Sequence, residues 1–235
     1  MPRVLLISHE PEAHPAIVGE ILVERGYEVH EHVVLGDPGA PDTDFPDLDA
    51  YDAVMAFGSF SNAYDERHRP WVEAELALID RLLVEDKPYL GVCFGGQLLA
   101  ESLGGWVEKA PEGMEEVGLV TFEKTVDHLP VPTGPWFTWH EDRTVLPDDD
   151  SVEVLARNDK AVQLFRRGRA VGTQFHPEAD GPLVAGWAAI GPDHIPAYTS
   201  ERELLDDLAD AQAQTRANCE LLVDWFLREV AEVDA

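Results

Sequence analysis

Two cysteines occur in the 235-residue sequence, and their surroundings differ sharply. Cys93 lies in the segment Gly91–Gln97, with glycines two residues before and after it, where an apolar run gives way to a helical pattern. A tight turn at such a junction lifts the side chain out of the sheet, and the helix N-terminus favours the reactive thiolate. The alternative is a small buried side chain, but the flanking glycines favour a nucleophile. Cys219 lies in a helical pattern close to leucines and without glycines, so we expect it to pack in the core.

A nucleophilic cysteine needs a base, and among nine histidines only His176 has a built-in partner. The segment Phe175-His176-Pro177-Glu178 follows a strand predicted over residues 170–174. In an extended segment, residues two apart point the same way, so Glu178 can orient the imidazole. Such an imidazole would hold the thiolate and later protonate a leaving amine. From spacing alone, a surface His-Pro-Glu turn is an equal alternative.

Alternating apolar runs and helical patterns must position these groups. The predicted strands of the first half cover residues 3–8, 27–35, 52–57 and 88–93, and the predicted helices 15–25, 71–83 and 97–103. Further short strands are predicted at 117–122, 152–156, 161–165 and 170–174, and helix at 201–232. Continuous apolar strands that alternate with helices are typical of a parallel sheet buried on both faces. We therefore predict a three-layer α/β fold, a mostly parallel open sheet flanked by helices, with a small antiparallel addition.

Composition limits the classes of function. Hydrophobic residues make up 45% of the chain, ample for a packed core. The longest apolar runs are far too short to span a bilayer, and no signal-peptide core follows Met1, so we expect a soluble cytoplasmic protein. Lysine and arginine total 17 against 46 acidic residues, and the net charge of −29 disfavours nucleic acids and anionic membranes as partners.

Histidines near the N-terminus could suggest a metal site. They are His9 and His14, on either side of a loop, and His30 and His32, which alternate along a predicted strand. Neither pair has helical HExxH spacing or a credible third ligand. We therefore predict no metal and no cofactor, a position near the pocket for the first pair, and a solvated strand face for the second.

Together, the motifs Gly91-x-Cys93-x-Gly95-x-Gln97 and Gln174-Phe175-His176-Pro177-Glu178 resemble the nucleophile elbow and the base motif of the class I glutamine amidotransferases. Their order and separation match, and the resemblance covers roughly residues 3–180. The chain is similar in particular to the glutaminase domain of GMP synthetase and its stand-alone relatives. The resemblance implies a flavodoxin-like fold in a single domain over 1–235, with a core at about 3–180 and a C-terminal helical extension at 181–235.

The resemblance also implies roles for individual residues. Cys93 would attack the side-chain amide of glutamine to give a thioester and ammonia, with His176 relaying protons and Glu178 orienting it. The backbone N–H groups of Gly58 and Phe94 would form the oxyanion hole.

Three further residues match positions of the family's glutamine pocket. Gln97 matches a position that lines the pocket, and Trp139 and His140 lie in a segment that borders it. An aromatic-rich core strand is an equally good interpretation of that segment.

One departure from the family pattern concerns the oxyanion loop. The family usually has Gly-Gly-Pro where this chain has Phe57-Gly58-Ser59. One glycine is kept, at the position expected to donate. The changed segment is the only support for a non-catalytic regulatory subunit that retains the fold.

Two enzymatic alternatives share the same reacting residues. The first is a glutaminase that releases ammonia, and the second is a γ-glutamyl peptidase or hydrolase acting on a γ-glutamyl conjugate. The residues after Glu178 contain no glycine-rich ATP motif. We therefore expect either a separate synthetase subunit that accepts the ammonia or water as the only acceptor.

Overall fold

The computed structural model describes residues 1–233, and this range contains twelve β-strands. The strands are β1 (Arg3–Ser8), β2 (Glu28–Val33), β3 (Ala53–Ala56), β4 (Tyr89–Val92), β5 (Trp106–Lys109), β6 (Glu116–Val120), β7 (Glu123–Lys124), β8 (Trp136–His140), β9 (Asp142–Val145), β10 (Glu153–Arg157), β11 (Val162–Arg167) and β12 (Ala170–Thr173). Eight of them form one sheet in the order β2-β1-β3-β4-β12-β11-β10-β7. The first five strands in this order run parallel, and the last three extend the sheet in antiparallel fashion. The pairs β5–β9 and β6–β8 form two small antiparallel sheets.

The helices lie on both faces of this sheet. They are α1 (Ala16–Glu24), α2 (Arg69–Val84), α3 (Phe94–Ser102), α4 (Gly181–Ile190) and α5 (Glu201–Trp225), and α5 continues into a π-helical turn at Phe226–Val230. Side chains alternate along a strand, so β1 contributes Val4 and Leu6 to one apolar layer and Leu5 and Ile7 to the other. The first layer holds the buried sides of α1 and α5, and the second holds those of α2 and α3. No helix within residues 1–233 is long and apolar enough to cross a membrane.

The predicted three-layer α/β fold with an antiparallel addition is confirmed. Several boundaries differ from those predicted. Helix α3 begins at Phe94 and not at residue 97, because Cys93 alone makes the turn from strand to helix. The predicted helix over 201–232 is helical only to residue 230, and its last five residues there form the π-helical turn. Residues 234 and 235 of the predicted extension lie outside the described range.

Three short strands were missed by the sequence analysis, and a fourth, β8, was one of two interpretations of its segment. Strands β5, β7, β8 and β9 have two to five residues each, and their partners are far away in sequence. Strand β8 corresponds to the aromatic-rich core strand that was left open as an interpretation. Its residue Phe137 also forms an isolated bridge with His176, which places this strand against the predicted base.

Candidate active site

A cavity of about 220 Å³ opens at the carboxyl end of the parallel strands. Seven residues singled out from the sequence line it: Gly58, Cys93, Phe94, Gln97, Trp139, His140 and His176. The eighth, Glu178, lies behind His176 and is 1% exposed. The fold thus brings together residues that are more than a hundred positions apart, at the sheet edge where open α/β sheets place their ligands.

The turn at Cys93 is strained in the way a nucleophile elbow requires. Its backbone has φ 48° and ψ −102°, an arrangement that L-residues rarely adopt. The Cys93 N–H donates to the Thr173 carbonyl at 2.8 Å, and its own carbonyl accepts from the Gln97 N–H at 2.8 Å. The Cys93 backbone is therefore fixed between β12 and the first turn of α3, at the helix N-terminus, which stabilises negative charge.

Glycines make this tight junction possible. A Cβ atom on Gly91 would lie 2.4 Å from the Gly95 carbonyl carbon and oxygen. One on Gly95 would lie 2.5 Å from the Ala56 carbonyl oxygen, and one on Gly96 would lie 2.6 Å from that of Thr173. All these neighbours are backbone atoms, so α3 can only reach this position against β3, β4 and β12 because the three residues have no side chain.

His176 lies between Cys93 and Glu178. Its Nδ1 lies 2.8 Å from Glu178 Oε1, and the ring faces the same cavity as the Cys93 side chain, close enough for the two to interact electrostatically. The His176 N–H donates to the Phe137 carbonyl at 2.7 Å, and the Trp187 ring packs 4.8 Å from the imidazole. The two-residue spacing therefore does place the carboxylate on the imidazole, and both side chains are buried.

Charged neighbours decide the protonation of His176. Burial alone lowers the pKa of the imidazole, but the Glu178 carboxylate and Cys93 raise it by more, from 6.5 to about 10. The ring is therefore an imidazolium at neutral pH. It can stabilise a thiolate on Cys93 and hold a proton for a leaving group.

We expect the His176 imidazolium to stabilise the folded protein in a pH-dependent way. Because its folded pKa lies above the unfolded value, this contribution is complete below about pH 6.5 and is lost as the pH rises through about 10. Replacing Glu178 by glutamine removes the carboxylate that does most to raise this pKa. Urea unfolding should therefore show a larger deficit in unfolding free energy for Glu178→Gln below pH 6.5 than above pH 10. Glu112→Gln, at an exposed position, is the control, and an equal Glu178→Gln deficit at both pH values would contradict the assignment.

The two predicted oxyanion donors lie on either side of Cys93. The Phe94 N–H is the first of α3 and has no acceptor within the helix. Gly58 follows β3 and lies so close to the base that a Cβ atom there would come 2.9 Å from His176 Cε1. Its carbonyl oxygen is turned away from the cavity and lies 2.9 Å from Nδ1 of the fully buried His9.

His140 lines the cavity, but both of its ring nitrogens already have protein partners. Nδ1 faces the Asp142 carbonyl at 2.9 Å, and Nε2 faces the Glu116 carboxylate at 3.1 Å. Glu116 also accepts from Gln163 at 2.8 Å and from Asn158 at 2.7 Å. We therefore expect His140 to shape the cavity wall, and a direct substrate contact, which the resemblance implies, stays a prediction.

Several residues that line the cavity or contact its lining had no role in the sequence analysis. The Gln174 amide donates to the Cys93 sulfur at 3.7 Å. Asp142 accepts from Asn62 at 2.6 Å and from Tyr64 at 2.8 Å, which presents a fixed carboxylate at the cavity. Gln174 lies inside the quoted base motif and could have been found there, whereas the Asp142 group depends on contacts across some eighty residues of sequence.

The end of α4 and the turn after it close one side of the cavity. Trp187, Ile190 and His194 are among the lining residues, and His194 Nδ1 pairs with Glu141 Oε1 at 2.6 Å. No motif in this part of the sequence predicted a contribution to the site. Of the N-terminal histidines, His9 lies beneath the oxyanion loop, and His30 is exposed on β2, whereas His32 is 9% exposed and is therefore not on a solvated face as predicted.

The comparisons with known proteins agree with this geometry. Residues 18–182 match the family model described as glutamine amidotransferase class-I. The chain belongs to this family. A crystal structure of a glutamine amidotransferase from Thermotoga maritima is similar to it with a TM-score of 0.83, at 27% identity over 98% of both chains.

The chain is similar to two sequence relatives, and the similarity covers very different shares of their lengths. Gamma-glutamyl peptidase 5 of Arabidopsis thaliana is 29% identical over 195 residues, which are 76% of this chain and 72% of that protein. The glutamine-hydrolysing GMP synthase of Thermomicrobium roseum is 42% identical over 104 residues, which are 41% of this chain but only 19% of that protein. Similarity to the GMP synthase is therefore confined to a small part of that relative.

Proposed function

We propose that this class I glutamine amidotransferase hydrolyses the side-chain amide of glutamine to glutamate and ammonia, with Cys93, His176 and Glu178 as its reacting and orienting residues. The observation that carries the proposal is that Cys93 and His176 line the same cavity, with His176 Nδ1 2.8 Å from Glu178 Oε1. Two carboxylates on the cavity wall, Glu141 and Asp142, suit the α-ammonium group of an amino acid substrate.

The proposed reaction has two halves. The Cys93 thiolate attacks the amide carbon, a C–S bond forms, and the carbonyl electron pair moves onto the oxygen. His176 gives its proton to the amide nitrogen, the C–N bond breaks, and ammonia leaves. Water then attacks the thioester carbon while His176 takes a proton from the water. The C–S bond breaks and releases glutamate and the Cys93 thiolate.

A second function, hydrolysis of a γ-glutamyl conjugate, is favoured by the lining of the cavity. Besides the groups around Cys93, the lining includes Ile190, Gly191 and His194, at the end of α4 and in the turn after it. Ile190 is half exposed, so it offers apolar contact to a larger leaving group. The same residues would then release an amine or an amino acid in place of ammonia.

A parallel assay decides between these two substrates. Ammonia release from glutamine and amine release from a panel of γ-glutamyl dipeptides are measured at equal concentrations. A higher kcat/KM for glutamine supports the first proposal, and a higher kcat/KM for the dipeptides supports the second. Ile190→Ala should lower kcat/KM for the larger conjugates more than for glutamine, because only they reach the end of α4.

Selective labelling separates both enzymatic proposals from a non-catalytic subunit. A glutamine-like electrophile should modify Cys93, which is in contact with an imidazolium at the cavity, and spare Cys219, which is 0% exposed and whose pKa is raised by burial. Mass spectrometry of the labelled peptides measures the ratio. Equal or absent labelling of the two thiols would favour a subunit that keeps only the fold.

We also propose one domain for the whole chain and a separate synthetase as the acceptor of the ammonia. The last helix packs Leu222 and Phe226 into the same apolar layer as Val4 and Leu6 of β1, which supports a single domain. A single unfolding transition by circular dichroism and by tryptophan fluorescence would be expected. The GMP synthase relative supports the idea of a synthetase partner, which co-purification from the source cell would test.

A further inference from the structure

A buried pair of side chains, His9 and Glu75, supports the oxyanion loop Phe57-Gly58-Ser59. His9 follows β1 and Glu75 lies in α2, and both side chains are 0% exposed. His9 Nε2 lies 2.8 Å from Glu75 Oε2, and His9 Nδ1 lies 2.9 Å from the Gly58 carbonyl oxygen. Neither residue lines the cavity, so the mechanism above leaves this pair without a role.

The direction of these contacts determines the orientation of one peptide group. A carbonyl oxygen only accepts, so Nδ1 of His9 carries the proton and donates to Gly58. The Gly58–Ser59 peptide is trans, because the one cis bond within residues 1–233 is Gly134–Pro135. In a trans peptide the N–H points opposite to the C=O. The Ser59 N–H therefore points away from His9, toward the cavity that Ser59 lines.

Other contacts hold this peptide in place. The Ser59 hydroxyl donates to Glu10 Oε1 at 2.8 Å, and the Phe60 N–H donates to the same oxygen at 3.3 Å. The His9 ring packs edge-on against Phe94 at 4.7 Å, beside the residue whose N–H is the other oxyanion donor. His9 and Glu10, the two residues after β1, thus anchor the oxyanion loop at two points. Within residues 1–233 the Ser59 N–H has no acceptor of its own.

We propose that the Ser59 N–H is an oxyanion donor in the reaction of Cys93, and that His9, held by Glu75, is the positioning residue that presents it. This inference rests on the proposed amide hydrolysis. The family pattern has proline at the position of Ser59, and proline has no N–H, so the departure from Gly-Gly-Pro adds a donor to this chain. The His9 contact also keeps the Gly58 carbonyl out of the space where negative charge develops.

The pKa of His9 is consistent with this geometry. Burial lowers the pKa, but the Glu75 and Glu10 carboxylates and the Gly58 carbonyl together raise it by more, so that it lies above its usual value. A charged donor makes a stronger hydrogen bond to the Gly58 carbonyl than a neutral one. The peptide is thereby polarised, and its N–H becomes a better donor to an oxyanion.

Ser59→Pro and Ser59→Ala form a matched pair, since only proline removes the N–H. For Ser59→Pro we expect kcat for amide hydrolysis to fall by about 10²-fold or more with KM changed far less, as for loss of one oxyanion donor. Ser59→Ala keeps the N–H and loses only the hydroxyl contacts to Glu10 and to the Ser61 N–H, so its fall in kcat should be at least about tenfold smaller. The rate of Cys93 alkylation by iodoacetamide should be the same in both, because alkylation forms no oxyanion. Equal kcat losses in the two variants would overturn the proposal.

A second pair of variants covers the case in which proline disturbs the loop. In a Glu75→Gln background, which leaves no buried carboxylate unpaired, His9 is replaced by asparagine or by leucine. Asparagine keeps an N–H donor where His9 has Nδ1, so its kcat should exceed that of leucine by about tenfold or more at similar KM. Equal values would overturn the proposal. If Cys93→Ala is inactive while Ser59→Pro and His9→Leu keep wild-type kcat, the inference fails and the proposed function stands. Activity retained in Cys93→Ala overturns both.

Discussion

Replacing Cys93 by alanine is expected to abolish amide hydrolysis, with a fall in rate on the order of 10⁴-fold or more. The sulfur supplies the only nucleophile in the proposed reaction, and its contacts with His176 and the Gln174 amide at 3.7 Å are specific to it. No other side chain at this turn can take its place, because the glycines around it carry none. Ammonia release from glutamine, or amine release from the preferred γ-glutamyl conjugate, measures the effect.

Cys219 offers a matched control for this change. It is the second thiol of the chain, fully buried in α5, and it does not line the cavity. Cys219→Ala should cost some stability, roughly 1 kcal/mol for a small cavity, and should leave kcat close to that of the wild type. Substantial activity in Cys93→Ala, or an equal loss in both variants, would contradict the proposed chemistry.

Replacing Gly91 by alanine is expected to lower the free energy of unfolding by roughly 3 kcal/mol or more. The new Cβ would lie 2.4 Å from the Gly95 carbonyl group and 2.6 Å from the Gly96 nitrogen. These are backbone atoms in the first turn of α3, so relief requires the whole helix to move away from β4. The same movement would displace the Cys93 turn, so activity should fall with stability. Urea unfolding measures the first effect.

Gly186→Ala is the matched control, because it makes the same change within a helix. Gly186 lies inside α4, and a Cβ there meets nothing within 4 Å. Alanine has the higher helix propensity, so this variant should gain about 0.5–1 kcal/mol. A loss in Gly91→Ala no greater than that of an ordinary surface substitution would show that the elbow tolerates a side chain.

Much of the secondary structure could be predicted from local sequence. The strand over residues 3–8 was predicted with its observed bounds. The ends of helices α1 and α2 were predicted to within a few residues. Apolar periodicity reports burial on one face or on both, and glycine spacing reports a tight turn, so both signals are present in a single segment. For the same reason the turn at Cys93 and the pairing of His176 with Glu178 could be predicted, since each depends on residues within a few positions of one another.

Only the tertiary structure decided what surrounds those groups. Sequence alone left open whether Cys93 and His176 meet, and it did not predict the contact of His9 with Gly58, forty-nine residues away. It also suggested His140 as a substrate contact, whereas Glu116 and the Asp142 carbonyl occupy its ring nitrogens. Long-range hydrogen bonds leave no periodic trace in a sequence, because they depend on the order of the strands in the sheet and on which loops meet at its edge. The identity of the reacting groups could therefore be predicted from local sequence. The residues that hold them in place could be identified only from the tertiary structure.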